Sequence, residues 1–595
     1  MIEPRLEWVL PEPLADPPSF AGFGRPVATL LARRGIRDEM QLAAFLAGTT
    51  ESLHDISEMA DADVALDRLK RALDRGERIA IWGDYDADGM TAVVVWVNAL
   101  RALGAEAIRH VPSRLADGYG LSEGGLRQLA ASGVTLLVTC DCGVGNVAEV
   151  ELARGLGMDV IVTDHHLPGG ELPRAVAVVD PHRRDCSYPD PDLTGAGLAY
   201  KLATALLARR GAAAADLAAV AAIGTIADLA PMTGESRTIV QLGLMELAAT
   251  QSPGLRALLE RCRAERVPTT RDLAFGIAPR INAAGRIAEA ELAMALLLAD
   301  DVETANRLAD ELEAVHRRRR EMTATAVEEA RLLVEGAEGD GPLAIHSDAW
   351  EPGIVGLIAG RLADRLGRPV AVAAPIGDEL RGSVRGPSDF HAAAALEACG
   401  DLLLKRGGHA GAGGFSVASA EWDAFVAAFS SLPRPFPAPT EAAPASAPVA
   451  GTSIAVDLVL PAQLLTWVLA DEIDRLAPFG PGHVEPMLAV TGLRVGEARR
   501  VGTDGRHLAL RMLRGHVTFD AIAFACPTDR PLPEEGSALD LVGTLERDTF
   551  QDAPRLRLRV VDFASTANSP LAARRRAARE AQPVPMAVEA VAAAG

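Results

Sequence analysis

The sequence IAIWGDYDADG (residues 79–89) joins an apolar run directly to three alternating carboxylates. Asp84, Asp86 and Asp88 are followed by a helix-like run over residues 90–103. Strand, acidic turn and helix is the simplest interpretation of this order. Three like charges so close together repel one another unless a cation lies among them, and an all-carboxylate site suits Mg²⁺ or Mn²⁺. For this segment alone, a solvated acidic turn is an equally good explanation.

The chain alternates between apolar runs and helix-like segments from residue 78 to about residue 180. The predicted strands are 79–82, 107–111, 135–139, 160–163 and 176–179, and the predicted helices are 90–103, 122–132 and 146–156. Such alternation predicts a parallel sheet with helices on both faces, in which ligands bind at the carboxyl ends of the strands. The aspartates of the first turn, Asp141 and the triplet 164–166 all follow predicted strands, so we expect them at one edge of one sheet.

The residue types at this edge point to phosphoryl chemistry. The candidate ligands are Asp84, Asp86, Asp88, Asp141, His165, His166 and Asp228. Carboxylate with imidazole suits Mn²⁺ and also admits Mg²⁺. Carboxylates that bridge two such ions make a site that activates water and stabilises both oxygens of a phosphoryl displacement. A lone buried histidine is more often structural, but two adjacent histidines after a strand-end aspartate favour a metal site. Glycosidase chemistry, which needs only two carboxylates, fits less well.

Basic residues that would hold phosphate are scattered through the middle of the chain. The candidates are Arg114, Arg280, Arg286 and Arg385, with the glycine-rich turn 407–414 around His409. Any one of these arginines, taken alone, is better explained by a surface salt bridge. Together with the acidic cluster and their glycine neighbours, we favour a functional role for Arg280, Arg286 and Arg385. The basic run 316–320 is better explained as a solvated helix face than as a DNA contact.

Composition and length predict several domains. We expect an N-terminal segment (1–60), an α/β domain (61–301), a connector helix (302–336), a second α/β domain (337–432), a linker (433–451), a small β-barrel of the oligonucleotide-binding type (452–565) and a disordered tail (566–595). The net charge of −21 argues against nonspecific coating of duplex DNA or anionic membrane, but it leaves room for a local basic groove.

The sequence carries no sign of export or membrane insertion. Six cysteines in 595 residues are too few for a disulfide scaffold and suggest a reducing compartment. No signal peptide is evident, and no uncharged apolar run is long enough to span a bilayer. We therefore expect a soluble, cytoplasmic protein with no membrane partner.

At this point the motifs resemble a known superfamily. DYDADG (84–89), Asp141, DHH (164–166) and Asp228 are similar to the DHH phosphoesterases, and their order and spacing resemble the RecJ-like single-stranded-DNA exonucleases of that superfamily. The motifs VPSR (111–114), GYG (118–120), PRINAAGR (279–286), GSVR (382–385), GGH (407–409) and APFG (477–480) support the resemblance, which covers about residues 60–565. It implies a DHH-type parallel-sheet domain, a long helix, a second α/β (DHH-associated) domain and an OB-fold-like barrel.

The resemblance also implies an activity: metal-dependent digestion of single-stranded DNA from the 5′ end to mononucleotides, in repair and recombination. It implies metal ligation by Asp86, Asp88, Asp141, His165 and Asp228, completed or supported by Asp84 and His166, with two ions of Mn²⁺ or Mg²⁺. Binding roles fall to Arg114, Ser383 and Arg385 for the 5′ phosphate, to Arg280, Asn282 and Arg286 near the scissile bond, to His409 for phosphate and to Tyr119 for base stacking. Expected partners are single-stranded DNA, a single-stranded-DNA-binding protein and a RecQ-type helicase, with the enzyme itself a monomer.

Two other functions stay open from the sequence. A DHH enzyme for short oligonucleotides or other small phosphate esters would usually consist of the two α/β domains alone, so the extension after residue 433 argues for a polymer substrate. A catalytically inactive scaffold would be expected to lose metal ligands, whereas every ligand that the resemblance implies is present here.

Overall fold

The computed structural model describes residues 2–114, 118–264, 267–337, 339–436, 453–502, 505–515, 517–548, 555–572 and 574–575. The chain divides into two compact units. The barrel unit contains residues 1–46, 449–477 and 484–595, and the α/β unit contains residues 47–448 and 478–483. The predicted N-terminal segment, 1–60, is therefore shared between the two units.

The N-terminal residues contribute one strand and two helices to the barrel unit. These are β1 (Glu7–Val9), α1 (Arg25–Arg33) and α2 (Glu39–Leu46). Two 3₁₀ turns, Thr50–Ser52 and Ile56–Glu58, then open the α/β unit. In α1 the residues Val27, Leu30 and Leu31 are fully buried, which is the spacing of one apolar helix face.

The first α/β domain contains the predicted parallel sheet. Its elements are α3 (Ala62–Arg75), β2 (Ile79–Gly83), α4 (Ala87–Ala102), β3 (Ala107–His110), α5 (Glu123–Ala131), β4 (Leu136–Cys140), α6 (Val147–Gly155), β5 (Asp159–Thr163) and β6 (Ala177–Val179). The strands lie in the order β3-β2-β4-β5-β6 and all pairs are parallel. Every residue of β2 and β4 is buried, because apolar clusters cover both faces of the sheet. The prediction of a parallel sheet covered by helices is confirmed.

A helical layer completes this domain. Its helices are α7 (Gly195–Arg209), α8 (Leu217–Ala227), α9 (Gly234–Ala249), α10 (Pro253–Cys262), α11 (Thr270–Asp272), α12 (Ala278–Ile287) and α13 (Glu291–Leu297), with a π turn at Leu273–Ile277. Helix α8 is buried along its length from Leu217 to Ile226, as expected for a helix that is apolar on all sides. Residues 478–483 also pack here, since the Met232 amide donates to the Pro481 carbonyl over 2.6 Å.

The connector is the single helix α14 (Val302–Leu333) of 32 residues. Asp301 caps it by accepting a hydrogen bond from the Thr304 amide over 2.8 Å. The first half of α14 buries Leu312 in the core of the first domain, and the second half buries Ala330 in the core of the second. The predicted connector helix is confirmed, and it belongs to both cores.

The second α/β domain is built around a mixed sheet. Its elements are β7 (Leu343–His346), a 3₁₀ turn (Pro352–Ile354), α15 (Val355–Leu366), β8 (Val370–Ile376), β9 (Glu379–Arg385), α16 (Ala392–Ala398), a 3₁₀ turn (Gly400–Leu402), β10 (Lys405–His409), β11 (Ala412–Ala418), a 3₁₀ turn (Ser419–Glu421) and α17 (Trp422–Ser430). The strand order is β10-β11-β9-β8-β7, and only β7 and β8 pair in parallel. The motifs around Ser383 and His409 thus lie on strands of one sheet, with β11 between them.

The barrel unit contains the predicted β-barrel. Its C-terminal elements are β12 (Ser453–Ala455), β13 (Leu458–Pro461), a 3₁₀ turn (Ala462–Leu464), α18 (Trp467–Asp474), β14 (Leu488–Val501), β15 (His507–Arg514), β16 (Val517–Ala523), β17 (Ala538–Asp548) and β18 (Arg555–Ser565). The sheet order is β13-β14-β15-β16-β18-β17, and an additional pairing of β14 with β17 closes it. Strands β14 to β18 therefore close on one another as a barrel, and β13 pairs with β14 outside that closure.

The barrel unit includes both early and late residues of the chain. Strand β1 pairs in parallel with β12. Asp562 is fully buried, accepts hydrogen bonds from the amides of Arg5 and Leu6 and from the Trp8 indole over 2.9–3.0 Å, and pairs with Arg530 over 2.8 Å. A buried carboxylate needs such partners, so this contact fixes the N-terminal strand to the barrel.

Two predicted irregular segments have folded ends. In the predicted tail, Leu571 is buried and Arg575 pairs with Asp540 over 2.6 Å, so disorder is the wrong description of residues 566–572. In the predicted linker, Arg434 pairs with Asp389 over 2.9 Å. Residues 437–451 and 576–595 lie outside the described residues. None of the helices in the described ranges combines the length and apolar character needed to cross a bilayer.

Candidate active site

Two features shape the acidic turn: a helix cap by Asp86 and a close approach of the backbone at Gly89. Asp86 caps α4, because its Oδ1 atom accepts hydrogen bonds from the amides of Asp88 and Gly89 over 2.9 and 3.1 Å. A Cβ atom on Gly89 would lie 2.5 Å from the amide nitrogen of Asp84. The glycine therefore lets α4 start directly against the end of β2, with Asp84 buried beneath it.

Asp88 is held by the start of another helix. Its two carboxylate oxygens accept hydrogen bonds from the amides of Gly195 and Ala196 over 2.7 and 3.0 Å. These amides open α7, where a carboxylate is favoured by the helix dipole. Even so, burial and the charge of Asp86 raise the pKa of Asp88 to about 7. The site thus keeps Asp88 in place while disfavouring its charge.

Asp141 follows β4 in a left-handed backbone conformation, with a φ of 62°. Its Oδ1 atom lies 2.9 Å from Nε2 of His165. The same Nε2 atom is 3.8 Å from carboxylate oxygens of both Asp88 and Asp228. Asp228 comes from the C-terminal end of α8. Carboxylates from three separate elements therefore surround an imidazole nitrogen that a fourth element supplies.

The histidine pair follows β5 at the same edge. Asp164 is buried and accepts hydrogen bonds from the amides of Val144 and His165 over 2.9 and 2.8 Å. It also lies 2.7 Å from Nδ1 of His166. Burial opposes a charge on His166, but the hydrogen bond and charge of Asp164 outweigh it and raise its pKa to about 9. For His165, burial and the neighbouring His166 lower the pKa to about 4, so its ring is neutral.

All seven predicted ligands meet at this edge. They form three overlapping groups whose ligand atoms lie within 4.8 Å of one another: Asp84, Asp86 and Asp141; Asp88, His165 and Asp228; and Asp141, His165 and His166. Burial, followed by the charge of Asp88, raises the pKa of Asp228 to about 8 and that of Asp141 well above its usual range.

One buried atom also lacks a partner. Oδ1 of Asp84 makes no hydrogen bond with any described residue. Carboxylate oxygens that repel one another, beside neutral imidazole, are the donor set of a Mn²⁺ or Mg²⁺ site, so the residues present fit such ions.

Arginines without acidic partners lie beside this edge. Within the described residues, Arg114, Arg286 and Arg385 make no ion pair with a carboxylate. The Arg114 guanidinium lies 4.9 Å from the centre of the Tyr85 ring. Arg385 donates to Oγ of Ser383 over 2.7 Å. Burial and the charges of Arg114 and Arg319 lower the pKa of Arg286 to about 9. A group of partly buried cations without ion-pair partners is suited to receive phosphate.

Two residues predicted to hold phosphate are engaged elsewhere. Arg280 donates to Glu313 over 2.6 Å and to the Gly276 carbonyl over 2.8 Å, so its contacts are those of a structural ion pair. Asn282 accepts a hydrogen bond from the Ala87 amide over 2.9 Å, and therefore supports the acidic turn. The contacts of neither side chain support the predicted grip on phosphate.

The remaining predicted residues lie close to the histidine pair or to Arg385. Tyr119 is 50% exposed, and its hydroxyl lies 3.1 Å from Nδ1 of His166. Its exposed ring leaves a surface for a base. His409 lies on the exposed strand β10, and partial burial together with the charges of Arg385 and His166 lowers its pKa.

Sequence reasoning missed three contributors to the site. Asp164 was noted only as part of the triplet, although it orients His166. Gly285 lets α12 touch the acidic turn, since a Cβ atom there would lie 1.8 Å from the Tyr85 carbonyl oxygen. Arg319 was assigned with its neighbours to a solvated helix face, yet it is half-buried and its charge acts on Arg286. The DHH triplet carried a signal for Asp164 and the PRINAAGR motif one for Gly285, and no motif carried one for Arg319.

The chain matches three family models. Residues 78–225 match the DHH family N-terminal domain, residues 340–432 match the DHHA1 domain and residues 456–562 match the RecJ OB domain. The matches fall within the two predicted α/β domains and the predicted barrel.

Several relatives match over most of this chain. The single-stranded-DNA-specific exonuclease RecJ of Bacillus subtilis is 33% identical over 543 residues, which are 90% of this chain and 68% of that protein. The crystal structure of RecJ from Thermus thermophilus with Mn²⁺ is similar with a TM-score of 0.75 at 31% identity, and the match covers 94% of this chain and 80% of that chain. The Mg²⁺ complex from the same organism gives a TM-score of 0.70 at 29% identity, covering 94% and 79%. This chain belongs to the RecJ family of the DHH superfamily.

Proposed function

We propose that this protein is a metal-dependent exonuclease that hydrolyses single-stranded DNA from the 5′ end to 5′-mononucleotides. One observation carries the proposal: seven carboxylate and imidazole side chains converge at one sheet edge, beside arginines that have no acidic partners among the described residues. The first group suits divalent cations and the second suits phosphate. The names of its relatives, which are single-stranded-DNA-specific exonucleases, support the polymer substrate.

We assign the metal ligands as Asp84, Asp86, Asp88, Asp141, His165 and Asp228. Two of the three groups have no residue in common, and the third joins them by sharing Asp141 with one and His165 with the other. This arrangement supports two ions and not one. When bound, such ions lower the pKa of water and stabilise the oxygens of an in-line displacement. The neutral ring of His165 is the form that ligates a metal.

His166 has a separate part in the proposal. Its Nδ1 atom is engaged by Asp164, and its raised pKa keeps the ring protonated near neutral pH. The cationic ring would donate a hydrogen bond from its Nε2 atom to a phosphate oxygen. This donation would favour the charge that develops as the phosphodiester bond breaks.

The arginines give the site its orientation on the strand. Arg114 and Arg385, with Ser383, would hold the terminal 5′ phosphate, and Arg286 would contact the scissile phosphate near Asp86. The ring of Tyr119 would stack on a base. A strand bound by its terminal phosphate is cut only from that end, and family resemblance identifies this end as the 5′ end.

Cleavage of strands labelled at either end would test the proposal. Purified protein with Mn²⁺ or Mg²⁺ is incubated with a long single strand carrying its label at the 5′ or the 3′ end. We expect immediate release of mononucleotide from the 5′ label, sparing of blunt duplex, and no release by Asp86→Ala. Cleavage of di- to pentanucleotides without attack on long strands would instead place the enzyme among small-substrate DHH phosphodiesterases.

The wider setting of the activity is also proposed from family resemblance. A single-stranded-DNA-binding protein and a RecQ-type helicase would supply the substrate strand, and the enzyme would act as a cytoplasmic monomer in repair and recombination. Co-purification with each partner and the mass in solution would test these points.

A further inference from the structure

The basic run at residues 316–320 divides into two environments. Arg317, Arg318 and Arg320 are exposed on α14, as a solvated helix face predicts. Arg319 is half-buried, and its Nε atom is buried without a hydrogen-bond partner among the described residues. Its guanidinium makes one long contact, 3.4 Å from Nη2 to Nδ1 of His316. The helix thus directs one of the four arginines of this run inward.

Packing brings Arg319 close to two arginines from other helices. Ile287 of α12, Met322 of α14 and Ile358 of α15 belong to one apolar cluster. Arg286 immediately precedes Ile287, and Arg319 and Arg361 lie within one helical turn of Met322 and Ile358. Arg286 also donates weakly to the carbonyl of Gly353, just before α15, over 3.4 Å. The three helices that carry these arginines therefore pack around one cluster, and the charge of Arg319 acts on Arg286 while that of Arg361 acts on Arg319.

These three arginines have no carboxylate of the described residues in direct contact, although the charge of Asp86 acts on Arg286. In the part of the chain that the structure describes, none of them forms an ion pair with a carboxylate. Burial lowers the pKa of Arg319, and the charges of Arg361 and Arg320 lower it further. Partly buried like charges without counter-ions, such as those of Arg286 and Arg319, destabilise a fold, and a bound anion would remove that cost.

We propose that Arg319 and Arg361, next to Arg286, form a phosphate subsite for a backbone phosphate of the single strand other than the scissile one, which Arg286 contacts. The subsite extends the row of unpaired arginines from Arg385 and Arg114, through Arg286 at the metal edge, onto the connector helix. Guanidinium groups suit this task because they bind phosphate oxygens in pairs. The inference rests on the proposed exonuclease function and deepens it.

Two sources of phosphate are consistent with this chemistry. One is a phosphodiester of the intact strand, and the other is the monoester of the released mononucleotide. We favour the strand, because Arg361 is exposed and the row of arginines continues beyond the metal edge. If the subsite binds a strand phosphate, substitution of a subsite arginine should reduce strand affinity by an amount that grows with strand length. If it binds the phosphate of the product, the substitution should change inhibition by the mononucleotide.

The test is strand binding as a function of salt in Asp86→Ala protein, which does not consume the strand. Each phosphate contact contributes about −0.7 to the slope of log affinity against log salt for single strands. We expect Arg319→Gln to weaken binding of a 5′-phosphorylated 12-mer roughly tenfold and to make the slope shallower by about 0.7. Arg318→Gln removes the same charge from the exposed face of the same helix, and is expected to leave both quantities unchanged.

Further measurements separate a binding role from a structural one. Arg319→Lys keeps the charge and is expected to retain the slope. The Tm of Arg319→Gln is expected to be unchanged or higher, because an unpaired buried charge is removed. A lowered Tm of Arg319→Gln with an unchanged slope of log affinity against log salt would overturn the proposal. So would a change confined to inhibition by dTMP, a mononucleotide product.

The two proposals fail in different ways. If wild-type protein bound the 12-mer with the Arg319-dependent slope but released no mononucleotide, the exonuclease assignment alone would be wrong. If wild-type protein released mononucleotides from the 5′ end while Arg319→Gln and Arg318→Gln bound the strand alike, the subsite alone would be wrong.

Discussion

The contact between α12 and the acidic turn gives the sharpest test of how the metal edge is built. Gly285 has an ordinary helical backbone, so Gly285→Ala introduces no conformational strain, only one carbon atom. That atom would lie 1.8 Å from the Tyr85 carbonyl oxygen, where real contacts are no closer than 3.0 Å. Helix and turn must therefore separate by at least about 1.2 Å.

This displacement reaches the ligands through Asn282. The side-chain oxygen of Asn282, on the same helix, accepts a hydrogen bond from the Ala87 amide over 2.9 Å, between the proposed ligands Asp86 and Asp88. A 1 Å misplacement of reacting groups costs about 10²-fold in rate, and overpacking costs about 1–3 kcal/mol of stability. We therefore expect mononucleotide release by Gly285→Ala to fall roughly 100-fold while the protein stays folded.

The assay compares initial rates and urea unfolding for Gly285→Ala and a matched variant. Gly360→Ala adds the same atom within α15, where a Cβ atom meets nothing within 4 Å. It is expected to keep full activity and to gain about 0.5–1 kcal/mol, because alanine is the better helix former. Equal rates and equal stabilities for wild type and Gly285→Ala would refute the close contact and the reasoning built on it.

Two further predictions concern the ligands and the barrel. Metal binding must displace the protons held by Asp88 and Asp228, whose pKa values are raised to about 7 and about 8, so Mn²⁺ affinity should rise with pH up to about 8. Calorimetry in buffers of different ionisation enthalpy measures this proton release, and an affinity independent of pH would contradict it. Asp562→Ala leaves Arg530 buried and unpaired, and should cost the barrel unit about 3–5 kcal/mol in urea unfolding. Arg499→Ala, at an exposed side chain, is the control and should change stability little.

The metal edge was predictable because its geometry follows from a local pattern. In a parallel sheet every carboxyl end lies at the same edge, so residues that follow separate strands meet without any knowledge of side-chain packing. Asp141 and His165, 24 residues apart, come within 2.9 Å in this way. The sequence alone, however, carried no signal that Gly195 and Ala196 of α7 would hold Asp88.

The roles of the arginines were not predictable in the same way. Arg280 and Arg286 lie in one motif and on one helix, and both were expected to hold phosphate. What separates them is a tertiary neighbour: Glu313 on α14 pairs with Arg280, and no carboxylate of the described residues pairs with Arg286. Likewise, Arg318 and Arg319 are adjacent on α14, but the side chain of Arg318 faces solvent and that of Arg319 is half-buried. Such differences depend on how helices pack, which hydrophobic periodicity does not specify.

The pairing of β1 with β12 has a consequence for synthesis on the ribosome. Residues near Trp8 find their strand partner about 450 residues later, so at typical elongation rates they wait roughly 20–90 s after emerging. Residues 47–448 of the α/β unit are synthesised during that interval, while the N-terminal strand has no strand partner and is available to chaperones. Nascent chains arrested before β12 should therefore expose the Trp8 segment to proteolysis, and chains arrested after β18 should protect it.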